Sequence, residues 1–147
     1  MFEIRRATPI DSSAWLRMRT ALWPAEDVAE DVDRFFDGKL DMPLEVLVAV
    51  DGFGELIGFA ELSIRRYAEG CATDRVAFLE GWYVDEAHRR KGVGAALVAS
   101  AEAWARKQGC TEFGSDALLE NEISAAAHKA LGFEEVECIR CFKKVLV

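Results

Sequence analysis

Apolar positions recur in this chain with two periods, and the places where the period changes mark its elements. Phe2 to Ala7 alternates and predicts a short first strand. Asp11 or Ser12 can cap a helix whose Trp15, Met18, Arg19 and Leu22 fall on related faces. Trp23-Pro24 should stop it, because the residue before proline avoids helical geometry. Glu26 to Asp37 is a predicted second helix with Val28, Val32, Phe35 and Phe36 as its stripe, and Gly38 suits the left-handed end. Strands follow over Leu44 to Val50 and Glu55 to Arg65, joined by the hairpin turn Asp51-Gly52-Phe53-Gly54. After a loop over Tyr67 to Asp74 comes a strongly apolar strand, Val76 to Val84, with one carboxylate, Glu80, in its middle. A long helix over Val93 to Gln108 has Leu97, Ala101 and Trp104 on one face. A strand over Glu112 to Ala117, a helix over Asn121 to Leu131 and two final strands, Glu134 to Cys138 and Arg140 to Val147, complete the reading. The class is α/β. The front half is mostly antiparallel, and a right-handed parallel crossover surrounds the long helix.

Composition narrows the function. The 147 residues are 51% hydrophobic and 30% charged, the make-up of one globular domain spanning residues 1–147. No apolar run reaches the ~20 residues that span a bilayer, and Met1-Phe2-Glu3-Ile4-Arg5 is not a signal peptide, so a cytoplasmic protein is expected. The net charge of -8 argues against nucleic acid and for a cationic small-molecule partner. Cys138-x-x-Cys141 sits in a predicted strand, where positions three apart face opposite ways, and no second pair or nearby His completes a metal site. Reduced thiols and no metal are expected.

Against that acidic background, Arg89-Arg90-Lys91-Gly92-Val93-Gly94 stands out between a strand and a helix. Glycines bring backbone amides close to a ligand, and the helix start adds unpaired N–H groups and the positive end of its dipole. That combination binds pyrophosphate. The spacing fits neither Gly-x-x-x-x-Gly-Lys-Ser/Thr nor Gly-x-Gly-x-x-Gly.

Arg-x-x-Gly-x-Gly between strand and long helix, with Ala130-Leu131-Gly132-Phe133 after a short helix, resembles the GCN5-related N-acetyltransferase (GNAT) superfamily. The resemblance implies a mixed six- or seven-stranded sheet flanked by about four helices, with acetyl-CoA as cosubstrate. It implies that backbone groups of Trp82, Tyr83 and Val84 meet the cofactor, with the Val84 N–H as candidate oxyanion donor. The amides of Arg89, Arg90, Lys91, Gly92, Val93, Gly94 and Ala95 would hold the pyrophosphate, and Asn121 would contact the pantetheine arm. Many members carry a tyrosine general acid three residues before Leu-Gly-Phe. Here that position is His128, a candidate acid because imidazole titrates near neutrality.

A denser set of matches resembles the aminoglycoside 6′-N-acetyltransferases: Leu22-Trp23-Pro24, Ala60-Glu61-Leu62-Ser63-Ile64-Arg65, Gly70-Cys71, Phe78-Leu79-Glu80-Gly81, Gly109-Cys110, Ser115-Asp116, Asn121-x-x-Ser124 and His128 through Glu135. This resemblance implies a homodimer, with the C-terminal strands as a place for exchange. It also implies acceptor contacts from Trp23, Tyr67, Glu80, Asp116 and Glu137. Other small amines, protein amines or a non-enzymatic acyl-CoA-binding role remain alternatives. Glu80 agrees with the residue-level reading: a carboxylate inside an apolar strand needs a partner, and a cationic amine must lose a proton before it attacks a thioester.

Overall fold

The computed structural model describes residues 1–24 and 29–147. Five strands, β1 (Phe2–Arg6), β2 (Glu45–Asp51), β3 (Leu56–Arg65), β4 (Val76–Val84) and β5 (Phe113–Ser115), form one sheet in the order β1-β2-β3-β4-β5. The first four are antiparallel neighbours, and β5 runs parallel to β4. The helices are α1 (Ser12–Leu22), α2 (Ala29–Phe36), α3 (Val93–Lys107) and α4 (Glu122–Ala130).

The near-continuous apolar runs of β2 and β3 have the physical reason expected of strands covered on both faces. Val46, Val48, Val50 and Phe59 pack with Trp15 and Met18 of α1 and Val32 of α2. Leu47, Ala49, Ala60 and Leu62 face the other way, toward Val93, Leu97, Val98 and Ala101 of α3. The hairpin closes on Asp51, whose Oδ1 accepts from the Phe53 and Glu55 amides at 2.9 and 3.0 Å. The predicted parallel crossover is β4–α3–β5.

Three expectations change. The start of the predicted second helix, including Glu26 and Val28, lies outside the described residues, and α2 runs from Ala29 with Phe35 and Phe36 edge-on to Trp15. Asp11 precedes α1 without a side-chain bond into that helix. Its carboxylate turns back instead, accepting from the Thr8 amide at 2.8 Å and from Arg5 at 2.7 and 3.0 Å. The sheet has five strands rather than six or seven, because residues 134–147 join no ladder among the described residues. Their alternation suits a strand, but a strand exists only where another supplies its hydrogen bonds. Phe142, Val145 and Leu146 are consequently 88%, 72% and 84% exposed. No helix among the described residues is long and apolar enough to cross a membrane.

Candidate active site

The site begins at a fault in β4. Glu61 of β3 lies opposite Gly81, and Leu62 lies opposite Leu79, so Glu80 is an extra residue with no partner across the ladder. Such a bulge bends the strand and re-aims a side chain. Here it turns Glu80 onto Arg65, which donates from Nε to Oε2 at 2.9 Å and from NH2 to Oε1 at 2.6 Å. The guanidinium also lies 3.6 Å above the Phe78 ring. Glu80 is the main cause, with Asp116 and Glu69 adding smaller attractions, of an Arg65 pKa above its ordinary value. The sequence reading left Glu80 without a partner and missed Arg65. The two are fifteen positions apart on different strands, and only the bulge makes them meet.

The strands diverge just beyond. β5 pairs with Ala77, Phe78 and Leu79 and stops at Ser115, leaving the rest of that β4 edge uncovered by a strand. Register decides which backbone groups face the opening. The Asp85 amide donates to the Ile57 carbonyl at 2.8 Å. Alternation from that pair turns the Tyr83 backbone into the β3 ladder and the Trp82 and Val84 N–H groups toward the gap. Of the three residues expected to meet the cofactor, Trp82 and Val84 direct their N–H groups to the open edge, and Tyr83 pairs opposite Phe59.

The basic turn forms the outer end of this gap. Arg90 has φ 62° and Gly92 has φ 83°, both left-handed, and α3 starts at Val93. Left-handed residues in a turn gather successive N–H groups into an anion-binding concavity. A Cβ at Gly92 would meet nothing, so glycine is needed there for its dihedral. Gly94 makes a close approach: a Cβ there would stand 3.2 Å from the Trp82 ring, which would have to shift by a few tenths of an ångström, and the Trp82 indole N–H donates to the Gly94 carbonyl at 3.2 Å. Arg90 and Lys91 are exposed, while Arg89 donates from Nε to the Val84 carbonyl at 2.8 Å.

A cavity of about 700 Å³ adjoins the end of β5, α4 and residues 133–141. Arg65, Glu69, Ser115, Asp116, His128 and Glu137 are among the residues lining it. The expected Asp116, His128 and Glu137 are therefore brought together, with Glu80 tied to them through Arg65. Trp23 sits elsewhere on the site's rim. It packs edge-on to Phe59 at 6.4 Å, and its ring would block any Cβ at Gly81, the neighbour of Glu80. Tyr67 is 68% exposed. Asn121 caps α4, accepting from the Ser124 amide at 3.1 Å.

His128 is held from every side. Its Nδ1 is 2.7 Å from the Ser124 carbonyl, and its Nε2 is 2.7 Å from the Ser115 hydroxyl. The rings of Trp82 and Phe133 stand edge-on to it at 5.2 and 5.1 Å.

Residues 12–133 match the model of the acetyltransferase (GNAT) family. The chain belongs to this family. Among its relatives is an aminoglycoside N(6′)-acetyltransferase type 1 of Klebsiella aerogenes, 52% identical, the match covering 97% of this chain and 96% of the relative. Another of the same description, from Stenotrophomonas maltophilia, is 41% identical over 97% of this chain and 93% of its own length. Among solved GNAT structures, the aminoglycoside antibiotic 6′-N-acetyltransferase AAC(6′)-Ih of Acinetobacter baumannii superposes with a TM-score of 0.90 at 37% identity over the whole of both chains. AAC(6′)-Iy in complex with the bisubstrate analogue CoA-S-monomethyl-acetylneamine gives a TM-score of 0.89 at 35% identity over 99% of each.

Proposed function

We propose that this GNAT enzyme moves acetyl from acetyl-CoA directly to the 6′-amine of aminoglycosides in the cytoplasm, with residues 1–147 acting as one catalytic domain. The observation that carries the reading is a pair of oppositely charged places linked through Trp82, which donates to the Gly94 carbonyl and packs on the cavity-lining His128. A basic turn and an open β4 edge suit an anionic thioester, and a cavity holding Asp116, Glu137 and Glu69 suits a polycation. The relatives act on, or are bound to, molecules of those two kinds.

The residues take the following parts. Amides from Arg89 to Ala95 receive the pyrophosphate, with Arg90 and Lys91 adding charge and Asn121 lying beside the pantetheine arm. Trp82 and Val84 offer backbone N–H groups to the acetyl-pantetheine end, and the Val84 N–H stabilises the developing oxyanion by about 3 kcal/mol. Glu80 accepts the proton of the acceptor ammonium, directly or through water, and Arg65 holds its carboxylate in place. Asp116 and Glu137 bind further ammonium groups, with Trp23 and Tyr67 contributing aromatic surface. His128 supplies acid for the leaving thiolate.

We infer a homodimer in which residues 134–147 pair with the partner copy. The apolar Val136, Ile139, Phe142, Val145 and Leu146 of this segment are exposed within one chain, which a second copy would correct.

The test is CoA thiol release by purified protein with acetyl-CoA and a panel of kanamycin, tobramycin, spermidine and a lysine peptide. Aminoglycoside turnover well above the others is expected. Preference for the polyamine or the peptide would overturn the acceptor, and acetyl-CoA binding without acceptor-dependent release would overturn the enzyme.

A further inference from the structure

His128 stands where many GNAT enzymes place their acid, yet its ring nitrogens are both engaged. The Ser124 carbonyl can only accept, so Nδ1 carries a proton and donates to it at 2.7 Å. Nε2 is left facing the Ser115 hydroxyl at 2.7 Å, with the ring clamped between Trp82 and Phe133. Ser115 is the last residue of β5 and lies opposite Leu79, the last β4 residue that β5 covers. The hydroxyl is thus at the vertex where the two strands part, and both Ser115 and His128 line the acidic cavity.

We propose that Ser115 is a catalytic residue, the hydroxyl through which His128 protonates the departing thiolate. This rests on the acetyl-transfer reading above. With His128 as imidazolium, Nε2–H donates to Ser115 Oγ, and the hydroxyl proton turns away from Nε2, either to the Leu79 carbonyl at 3.5 Å or into the gap beside it. As the thioester C–S bond breaks, the sulfur keeps the electron pair and takes the Ser115 proton. Ser115 takes the Nε2 proton, and neutral His128 regains one from solvent. The acceptor nitrogen loses two protons, one before attack and one from the tetrahedral intermediate, both through Glu80 to solvent, so with one proton returned to His128 the transfer releases one net proton and charge and atoms balance. In the neutral state the hydroxyl proton points back to Nε2, and the relay is closed. Arg65 and Lys129, against Glu69, Glu102, Asp116 and Glu137, are charged groups lining the same cavity, and the carboxylates outnumber the cations.

The experiment combines kinetics with imidazole ¹⁵N NMR, in which His128 is one of only two histidines. Ser115→Ala is expected to lower kcat roughly ten- to hundred-fold, because a thiolate leaves tolerably without help and the full effect of a general acid is not at stake. KM for both substrates should stay within about two-fold. Ser115→Thr, which keeps the hydroxyl, should restore most of kcat. Ser115→Ala combined with His128→Ala should be no slower than His128→Ala alone, since the two act as one unit. The Nε2 resonance of His128 should move in Ser115→Ala with Nδ1 still protonated. Wild-type kcat in Ser115→Ala, or multiplying losses in the double variant, would overturn the relay. Should Ser115→Ala not fold, Ser115→Cys keeps the volume without a strong O–H donor and must show the same kcat loss. A wild-type protein that releases no CoA with any amine would instead sink the acetyl-transfer reading, while the Ser115–His128 coupling seen by NMR would stand.

Discussion

At the scale of single residues, the chemistry depends on a few positions whose neighbours are distant in sequence. Glu80 is held by both oxygens on Arg65, which compensates its charge in a half-buried place. Glu80→Gln should leave acetyl-CoA affinity unchanged while lowering kcat/KM for the aminoglycoside by at least about ten-fold, measured by thiol release and calorimetry. A collapse in thermal stability instead would make the pair structural. The two glycines of the basic turn should fail differently. Gly92→Ala forces a Cβ into the left-handed region, costing about 1 kcal/mol, with no clash. Gly94→Ala leaves the dihedral ordinary but presses on Trp82 at 3.2 Å. Weaker acetyl-CoA binding is expected from both, and a change in Trp fluorescence from Gly94→Ala, with Trp82 as its source.

At the scale of elements, buried charges fix how α1 sits on the sheet. Glu61, 1% exposed in the middle of β3, receives Arg19 at 2.7 and 3.2 Å and the Trp15 indole N–H at 3.1 Å. Burial pushes its carboxyl upward, and Arg19 and Trp15 pull it back. The same guanidinium lies 5.2 Å from the Trp23 ring, so the network that seats α1 also seats Trp23 beside Gly81. Removing the Glu61 carboxylate takes two close hydrogen bonds from the buried Arg19 guanidinium, which keeps Asp31 at 3.5 Å, so Glu61→Gln should cost about 1.5–3 kcal/mol. Asp11 anchors the entry to α1 and offers a pH test. Arg5 first, and then the Thr8 amide, hold its carboxyl below the usual range. A depressed carboxylate contributes stability above its unfolded value, about 3.9, and that contribution disappears as pH falls through the folded value. Asp11→Asn should therefore lose about 1–2 kcal/mol at neutral pH in urea unfolding, with the gap to wild type closing as pH falls below the usual carboxylate range.

At the scale of the whole molecule, the net charge of -8 sets the two ligands apart. It draws a polycation from solution and leaves the anionic ligand dependent on a local basic turn. Raising salt from about 20 to about 300 mM shortens the screening length from tens of ångströms to well under ten. kcat/KM for the aminoglycoside should fall several-fold over that range, and much less for acetyl-CoA. Invariant values for the aminoglycoside would mean that long-range charge plays no part in its capture. Deleting residues 134–147 tests the other molecular-scale proposal: by light scattering the inferred dimer should give way to monomer. A truncated chain that remains dimeric would place the interface elsewhere.

Much of the fold was open to reading because it is local. Val76–Val84 as a strand, the helix beginning at Val93 and the short helix after Asn121 are written in hydrophobic period, glycine placement and a capping side chain. Glu80 was legible for a related reason, since a charge in an apolar strand announces a partner without naming it. The partner itself, Arg65, needed a one-residue fault in the β3–β4 register, and the Trp82 and Val84 donors needed the phase of the same ladder. Ser115 carried no chemical role in the sequence beyond the Ser115-Asp116 match, because that role needs β5 to end there and His128 to turn onto it. The C-terminal residues mark the limit most clearly. Their sequence specifies extended chain, but a ladder is a property of two segments, and a single chain's sequence does not place the second one. What the sequence determined alone was element type, charge and the basic glycine turn. Which groups meet, in which protonation state and at which edge was decided by strand register and packing, because those depend on distances between residues that the chain brings together only by folding.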